Sequence, residues 1–390
     1  MEAFFKTHAY LVEHTTAPVR RALMDEINWN DRLIGIKGSR GVGKTTFLLQ
    51  YARENFSVND RKCLYINMNN FYFQGKNLVE FAGEFHRNGG QVLLIDQVYK
   101  LPDWEKELKR CYERYPGLRI VFTGSSVMLL EENPDLNTIC ASYHLKGFSL
   151  REFINLRTGL SLSSYTLEDI LTRHEMISAN ILRQVNPMEH MRPYMKHGYY
   201  PFFLEQTNFS ENLLKTMNMM VEVDILLIQQ IELKYLNKLK KLLYLLAIAG
   251  PSAPNVSQLA ADVQTSRATV MNYFKFLSDA RLINMIYRKG ELSSKKPARI
   301  TLHNSNLLFA IFPRFADEEM LNDTFFQQNL CSMHEVAAGD RSCGFYVDGK
   351  RFRICNEEPH RFSSDVFYVR NGLTKGHDKQ IPLWLFGFLY

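Results

Sequence analysis

The segment from Gly38 to Thr45 carries the residues of this chain that are best suited to chemistry. It reads Gly-Ser-Arg-Gly-Val-Gly-Lys-Thr and matches the eight-position phosphate-loop pattern. Glycines let backbone N–H groups approach phosphate oxygens, and the helix that follows such a loop directs its positive N-terminus at them. The lysine reaches the β- and γ-phosphates, and the threonine hydroxyl is a ligand for Mg²⁺. The loop therefore predicts a site for ATP and Mg²⁺. The predicted nucleotide contacts are Gly38, Arg40, Gly41, Val42, Gly43, Lys44, Thr45 and Thr46.

A second chemical signal lies at residues 91–96, a continuous apolar run that ends in an acid. Such a run is typical of a parallel strand that is buried on both faces. We expect Asp96, at the carboxyl end of this strand, to hold Mg²⁺ together with Thr45. Residues 119–126 look like a further strand, whose polar end would bring Ser125 close to the γ-phosphate.

Strands and helices must alternate to position these groups. Residues 33–36 predict a short buried strand before the loop, and residues 46–52 predict the helix after it. Residues 62–67 supply another strand between the two motifs. This alternation favours a doubly wound α/β domain built on a parallel sheet.

The overall composition is that of a folded protein, with 46% hydrophobic and 23% charged residues among 390. No apolar run reaches the ~18–20 residues that span a bilayer, and the first residues lack the pattern of a secretion signal. Six cysteines are too sparse for a disulfide scaffold and show no paired metal-ligand spacing. We therefore expect a cytoplasmic protein with no membrane partner.

Positive charge is concentrated in residues 241–302, which hold nine Lys and Arg against three acids. This segment alone accounts for the formal net charge of +6, so the rest of the chain is close to neutral. Such a concentration is the footprint of a nucleic-acid contact, although many basic surfaces are only solvated faces.

Taken together, the motifs resemble the prokaryotic AAA-type ATPases whose core precedes a winged helix and a C-terminal domain of restriction-nuclease ancestry. The resemblance implies an α/β fold with a P-loop, doubly wound parallel-sheet ATPase core, a helical lid, a winged-helix domain and a small α/β nuclease-like domain. These four parts would cover residues 1–160, 161–240, 241–310 and 311–390. The residues that carry the resemblance are 38–45, 95–100 with Trp104, Leu108 and Lys109, 123–126, 147–153 and 381–387.

Two departures from the family pattern concern catalysis. The family places Glu after the acid of the second motif, where it polarises the attacking water, and this chain has Gln97. An amide can orient a water but cannot accept its proton, so ATP binding should survive while hydrolysis becomes slow. Residues 136–141 contain no arginine that could act on the γ-phosphate of a neighbouring subunit. In the lid, Arg183 and Arg192 are candidates for sensing the γ-phosphate or ordinary surface residues. The predicted catalytic residues are Lys44, Gln97 and Ser125.

Residues 241–302 predict a winged helix. Helices are expected at 241–249, at 258–263 with Ser257 as its cap, and from Thr265-Ser266 to about 279. Strands at 282–287 and 298–302 would flank a basic tip. One helix face and this tip would contact DNA. Winged helices also serve protein interaction or oligomerisation, and this alternative stays open. The predicted nucleic-acid contacts are Arg267, Thr269, Asn272, Lys275, Lys289, Lys295 and Lys296.

In the C-terminal part, residues 344–354 predict a hairpin that turns at Asp348-Gly349. A nuclease of this ancestry needs metal-binding acids where this chain has Gly344 and Arg353, so the domain would not cut nucleic acid. His303, His334, His360 and His377 are too scattered to form a metal site. The predicted function is ATP-controlled binding or remodelling of a macromolecule by a homo-oligomer. DNA is the leading candidate, and an ATP-dependent protein scaffold or protein remodeller is the alternative.

Overall fold

The chain forms two compact units, Met1–Lys146 and Gly147–Tyr390. The first unit ends fourteen residues before position 160, where the sequence placed the end of the core. A computed structural model describes the chain except for residues 129, 131, 132, 205–207, 227–230, 292–294, 313–316, 341, 342 and 360.

The first unit is built around a parallel sheet in the order β2-β3-β4-β1-β5. Every residue of β3 is buried, as expected for a strand covered by helices on both faces. All five strands run in one direction, so their carboxyl ends meet at one edge of the sheet. The strands are β1 (Leu33–Gly38), β2 (Cys63–Asn67), β3 (Val92–Asp96), β4 (Arg119–Ser125) and β5 (Ala141–His144).

Helices complete the first unit, and their ends follow local sequence signals. The helix after β1 begins at Lys44, directly after Gly43, whose φ of 94° lies in the left-handed region that glycine adopts without strain. The helix before β3 begins after Asn77, whose side chain accepts hydrogen bonds from Val79 N and Glu80 N. The helices are α1 (Glu2–His14), α2 (Leu23–Glu26), α3 (Lys44–Asn55), α4 (Leu78–Arg87) and α5 (Trp104–Arg114).

The second unit opens with helices, in the part of the chain where the resemblance implied a helical lid. Ser149 and Thr166 each form a reciprocal capping box, with Glu152 and Asp169 respectively. Met220–Ile225 continues the fourth of these helices as a π-helical segment. The helices are α6 (Leu150–Thr158), α7 (Leu167–Leu182), α8 (Pro187–His197) and α9 (Phe209–Met219).

The basic segment forms three helices followed by an antiparallel hairpin. The predicted helix start at Thr265-Ser266 is correct, and Ser266 is the cap, because its hydroxyl accepts from Thr269 N. The predicted cap at Ser257 is wrong: Asn255 is the cap and accepts from Gln258 N, so that helix begins two residues early. The elements are α10 (Leu236–Ala249), α11 (Val256–Asp262), α12 (Arg267–Asp279), β6 (Ile283–Ile286) and β7 (Arg299–Leu302).

A mixed five-stranded sheet in the order β12-β11-β10-β9-β8 ends the chain. Its β9–β10 hairpin turns at Asp348-Gly349 as predicted, with φ values of 47° and 77°. The preceding hairpin is joined to this sheet, since Ala338 N donates to Tyr287 O at 2.8 Å. The elements are α13 (Ser305–Ile311), α14 (Glu318–Leu330), β8 (Val336–Ala338), β9 (Phe345–Val347), β10 (Lys350–Cys355), β11 (Val366–Arg370) and β12 (Gln380–Pro382).

The described residues contain neither a membrane-spanning helix nor a cluster of metal ligands. Within them, no helix is both long enough and apolar enough to cross a membrane. The same part of the chain holds no group of three or more His, Cys, Asp and Glu side chains that could bind a metal ion. His360 lies outside the described residues.

Candidate nucleotide-binding site

The phosphate loop joins β1 to α3 at the carboxyl edge of the first sheet. Gly41 and Gly43 have φ values of 85° and 94°, which reverse the chain between the strand and the helix. The ammonium group of Lys44 donates to Gly38 O at 2.7 Å and to Ser39 O at 2.9 Å. The lysine therefore lies across the concave side of the loop, where its charge can meet phosphate oxygens.

Gly38 is required by the sheet as well as by the loop. A β-carbon at this position would lie 2.4 Å from the carbonyl oxygen of Leu145 and 3.3 Å from Val42. The first contact is with backbone, which cannot rotate away. Only glycine lets the end of β1 pass this close to the segment that follows β5.

Asp96 lies at the end of β3 and is almost completely buried, at 1% exposed. Its carboxylate accepts hydrogen bonds from Thr45 Oγ1 at 2.7 Å, Tyr65 Oη at 2.8 Å and Asn67 Nδ2 at 3.3 Å. Thr123 Oγ1 donates to its other oxygen. These donors satisfy the oxygens of the buried carboxylate and hold it at the carboxyl end of β3, beside the phosphate loop.

Tyr65 holds the buried acid from the neighbouring strand. Burial and the charge of Asp96 both raise the pKa of the Tyr65 phenol, so the hydroxyl stays protonated and donates. The backbone of Tyr65 is held in turn by His8 on α1, because Tyr65 N donates to His8 Nδ1 at 3.0 Å. Burial lowers the pKa of His8 to about 4, which keeps the ring neutral and Nδ1 free to accept.

Gln97 is linked by hydrogen bonds to Thr123 on β4 and, through Tyr99, to Arg40 of the phosphate loop. It has a φ of 56°, and its backbone N–H donates to Thr123 Oγ1 at 2.9 Å. Its Oε1 accepts from Tyr99 Oη at 3.3 Å and lies 3.5 Å from Asn69 Nδ2. Tyr99 Oη also accepts from Arg40 of the phosphate loop at 3.1 Å.

The structure brings together most of the predicted nucleotide-site residues. Thr45 contacts Asp96, and Gln97 and Arg40 are linked through Tyr99. Ser125 is buried at the end of β4 and lies 3.5 Å from Val127 N, with no contact to Asp96 among the described hydrogen bonds.

The sequence did not predict three donors to the Asp96 carboxylate, namely Tyr65, Asn67 and Thr123. The signal for the first two was present: Tyr65 and Asn67 are two residues apart on a strand and therefore share a face. Asn67 pairs in register with Asp96. The register itself depends on which strands are neighbours, which one sequence does not show.

The predicted nucleic-acid residues lie on the second unit. Arg267, Asn272 and Lys275 are exposed on α12, while the hydroxyl of Thr269 is engaged by Ser266 Oγ at 2.8 Å. At the hairpin tip, Lys289 lies 5.4 Å from the ring centre of Tyr346. Lys295 and Lys296 are exposed.

Comparison with known proteins confirms the type of the first domain. Residues 30–154 match the family model described as AAA domain, so the predicted AAA-type core with its P-loop is confirmed. Residues 188–301 match a model described as a domain of unknown function, DUF8612. The remaining expectations for residues 155–390 are neither confirmed nor contradicted by these matches.

A curated relative and two solved structures also match. The uncharacterized protein MJ1637 of Methanocaldococcus jannaschii is 26% identical over 288 residues, which cover 70% of this chain and 60% of that protein. The structure of C. elegans PCH-2 covers 39% of this chain and 43% of that chain, at 18% identity and a TM-score of 0.25. The E. coli MS115-1 HORMA:CdnC:Trip13 complex covers 45% of this chain and 74% of that chain, at 16% identity and a TM-score of 0.25.

Proposed function

We propose that the chain binds ATP with Mg²⁺ and hydrolyses the nucleotide slowly, and that the bound nucleotide controls contact with a macromolecule. The observation that carries this proposal is the pair formed by Thr45 Oγ1 and the Asp96 carboxylate, 2.7 Å apart beside the phosphate loop. A hydroxyl and a carboxylate are hard oxygen ligands of the kind that Mg²⁺ prefers.

Different residues of the site would bind the phosphates, the metal ion and the attacking water. Backbone N–H groups of the loop and the N-terminus of α3 hold phosphate oxygens, and Lys44 adds a positive charge. Thr45 and Asp96 would hold Mg²⁺, which when bound neutralises charge on the phosphates. Gln97 can orient a water molecule but cannot take its proton, so turnover is slow.

The nucleotide site is tested by isothermal titration calorimetry with Mg²⁺ and ATP. We expect Lys44→Ala to remove most of the affinity, because the phosphates lose their ammonium partner. Lys106→Ala is the matched control, since Lys106 is exposed on α5 and pairs only with the exposed Asp103 among the described ion pairs. Unchanged binding in Lys44→Ala would refute the site.

The role of Gln97 is tested by steady-state phosphate release. We expect Gln97→Glu to raise kcat, because a carboxylate can polarise the attacking water and accept its proton. Gln97→Ala controls for loss of the amide and should not show this gain. A brisk rate in the unsubstituted protein, or an equal rate in Gln97→Glu, would contradict the assignment. Because intersubunit arginines can limit the gain, particle mass is measured in parallel.

For the macromolecule, we propose duplex DNA, bound by residues 241–310 acting as a winged helix. Three helices followed by a β-hairpin support this proposal, as does the exposure of Arg267, Asn272 and Lys275 on one helix. The helix face would enter a major groove, and the hairpin tip would contact phosphates. The sheet of β8–β12 would then be a non-cutting, nuclease-like remnant in a homo-oligomer.

Fluorescence anisotropy at three salt concentrations tests DNA binding. Each lost phosphate contact removes about 0.9 from the slope of log affinity against log salt. The triple variant Lys289→Gln, Lys295→Gln and Lys296→Gln should bind more weakly and flatten this slope by up to about 2.7. The control carries the same charge loss at exposed lysines outside the module, namely Lys215, Lys234 and Lys375.

The alternative is an ATP-dependent protein scaffold or remodeller that uses the same module for assembly. It is favoured if the chain shows no duplex affinity even at low salt while the triple variant changes the oligomer mass. That pair of results would end the DNA proposal and leave the nucleotide site untouched.

A further inference from the structure

Gln97 is held by a directed chain of hydrogen bonds. Arginine only donates, so the Tyr99 hydroxyl oxygen accepts from Arg40, at 3.1 Å. The amide oxygen of Gln97 only accepts, so Tyr99 donates to it, at 3.3 Å. With the Gln97 amide oxygen assigned to face Tyr99, the chemistry of the three groups fixes the direction of each bond.

We propose that Tyr99 is a positioning residue that engages the amide oxygen of Gln97 and thereby restrains ATP hydrolysis until Arg40 is drawn to the nucleotide. This inference rests on the proposed function and goes further, because it assigns a regulatory step to a tyrosine outside the phosphate loop and the metal ligands.

The restraint follows from the acceptor capacity of an amide oxygen. Such an oxygen has two lone pairs, and Tyr99 and Asn69 Nδ2, at 3.5 Å, engage both. To orient an attacking water, Gln97 must accept a hydrogen from it with this same oxygen. The N–H groups that remain would instead donate to a lone pair of the water, which makes the water a poorer nucleophile.

Release of the Gln97 amide oxygen from Tyr99 follows from the position of Arg40 within the phosphate loop. A guanidinium pairs with a charged phosphate, often through two parallel N–H···O bonds, and this pairing is stronger than a single bond to a neutral hydroxyl. A nucleotide in the loop therefore competes with Tyr99 for Arg40. Once Arg40 leaves, the Tyr99 hydroxyl is no longer held against Gln97, and the amide oxygen can exchange this donor for water.

The experiment is Tyr99→Phe, which keeps the ring and removes the hydroxyl. We expect kcat for ATP hydrolysis to rise about threefold to tenfold, which corresponds to about 0.7–1.4 kcal/mol in the barrier. ATP should bind as tightly as before or more tightly, because Tyr99→Phe no longer competes with the phosphates for Arg40, so neither the KM nor the calorimetric Kd should rise. Tyr10→Phe, at a tyrosine that is 60% exposed on α1, is the control and should change none of the three.

A merely structural role for Tyr99 predicts a different pattern. It would lower kcat and weaken ATP binding together, and either result overturns the proposal, as does an unchanged kcat. The effect must also pass through Gln97, so Tyr99→Phe should have no effect on kcat in a Gln97→Ala background. A gain that persists there would overturn the proposal too.

A stability measurement on the protein without nucleotide distinguishes failure of this inference from failure of the proposed function. Chemical denaturation of the two single variants and of the double variant Tyr99→Phe with Gln97→Ala gives a double-mutant cycle for the nucleotide-free protein. A non-zero coupling between the two positions supports the chain, and purely additive effects refute it. Failure of the proposed function appears separately, as absence of ATP binding by the unsubstituted protein.

Discussion

Acid should favour opening of the strand that supports the buried acid of the nucleotide site, because His8 binds a proton more readily when it is exposed than when it is buried. His8 is 2% exposed, and its Nδ1 accepts from Tyr65 N on β2, while the Tyr65 hydroxyl donates to Asp96. An imidazolium has no lone pair on Nδ1, so acid converts this hydrogen bond into a contact between two donors. The perturbation we choose is His8→Asn, whose amide oxygen can accept from Tyr65 N without titrating.

The magnitude follows from the pKa of His8, which burial lowers from 6.5 to about 4. Because the folded pKa is the lower one, the full stability is present above pH 6.5, and it is lost progressively as the pH falls from 6.5 through about 4. Linkage between these two values gives a loss of about 2 kcal/mol between pH 8 and pH 5, and about 3 kcal/mol once protonation is complete.

Hydrogen exchange read by mass spectrometry measures this loss in the peptides of β2 and β3. Comparing the unsubstituted protein with His8→Asn at each pH cancels the intrinsic exchange rate, so only the opening free energy differs. We expect the unsubstituted protein to lose about 2 kcal/mol more than the variant between pH 8 and pH 5. Parallel loss of protection in the two proteins would refute the reasoning.

Three further outcomes are expected. Gly38→Ala should cost about 1–3 kcal/mol of stability and weaken ATP binding, because its β-carbon would lie 2.4 Å from a backbone oxygen. Thermal unfolding and calorimetry measure the two effects, and the control is Gly75→Ala, whose β-carbon would have nothing within 4 Å. Burial raises the pKa of Asp323 to about 6, so its contribution to stability is lost as the pH rises. The unfolding free energy should therefore fall by about 2 kcal/mol from pH 4 to pH 7 relative to that of Asp323→Asn. A difference in unfolding free energy between the two proteins that stays the same at each pH would contradict this. Incubation of plasmid DNA with Mg²⁺ or Mn²⁺ should give no cleavage, since Gly344 and Arg353 supply no carboxylate, and metal-dependent nicking that is lost on deleting residues 325–390 would disprove it.

Features set by short-range sequence signals were predictable. The phosphate loop, the buried strand that ends in Asp96, and the turn at Asp348-Gly349 all depend on residues within a few positions of each other. The predicted cap at Ser257 was wrong, because Asn255 and Ser257 are both good caps and the helix begins after the earlier one.

Features set by long-range neighbours were not predictable. Tyr65 meets Asp96 only because β2 and β3 are adjacent in the sheet, and His8 meets Tyr65 only because α1 packs beside β2. The Arg40–Tyr99–Gln97 chain likewise joins residues that are 59 positions apart in sequence at its first step. Such contacts follow from topology and register, which a single sequence leaves open.

The hydrogen bond between Ala338 and Tyr287 also protects the C-terminal sheet from association with other chains. β8 and β12 are the edge strands of this sheet, and edge strands expose unpaired N–H and C=O groups that invite intermolecular pairing. The segment at Tyr287 and Arg288 covers part of the β8 edge, and Pro382, which has no N–H to offer, interrupts the other edge. A fragment that begins after the basic hairpin would therefore uncover β8, and aggregation is the expected fate of the C-terminal part expressed alone.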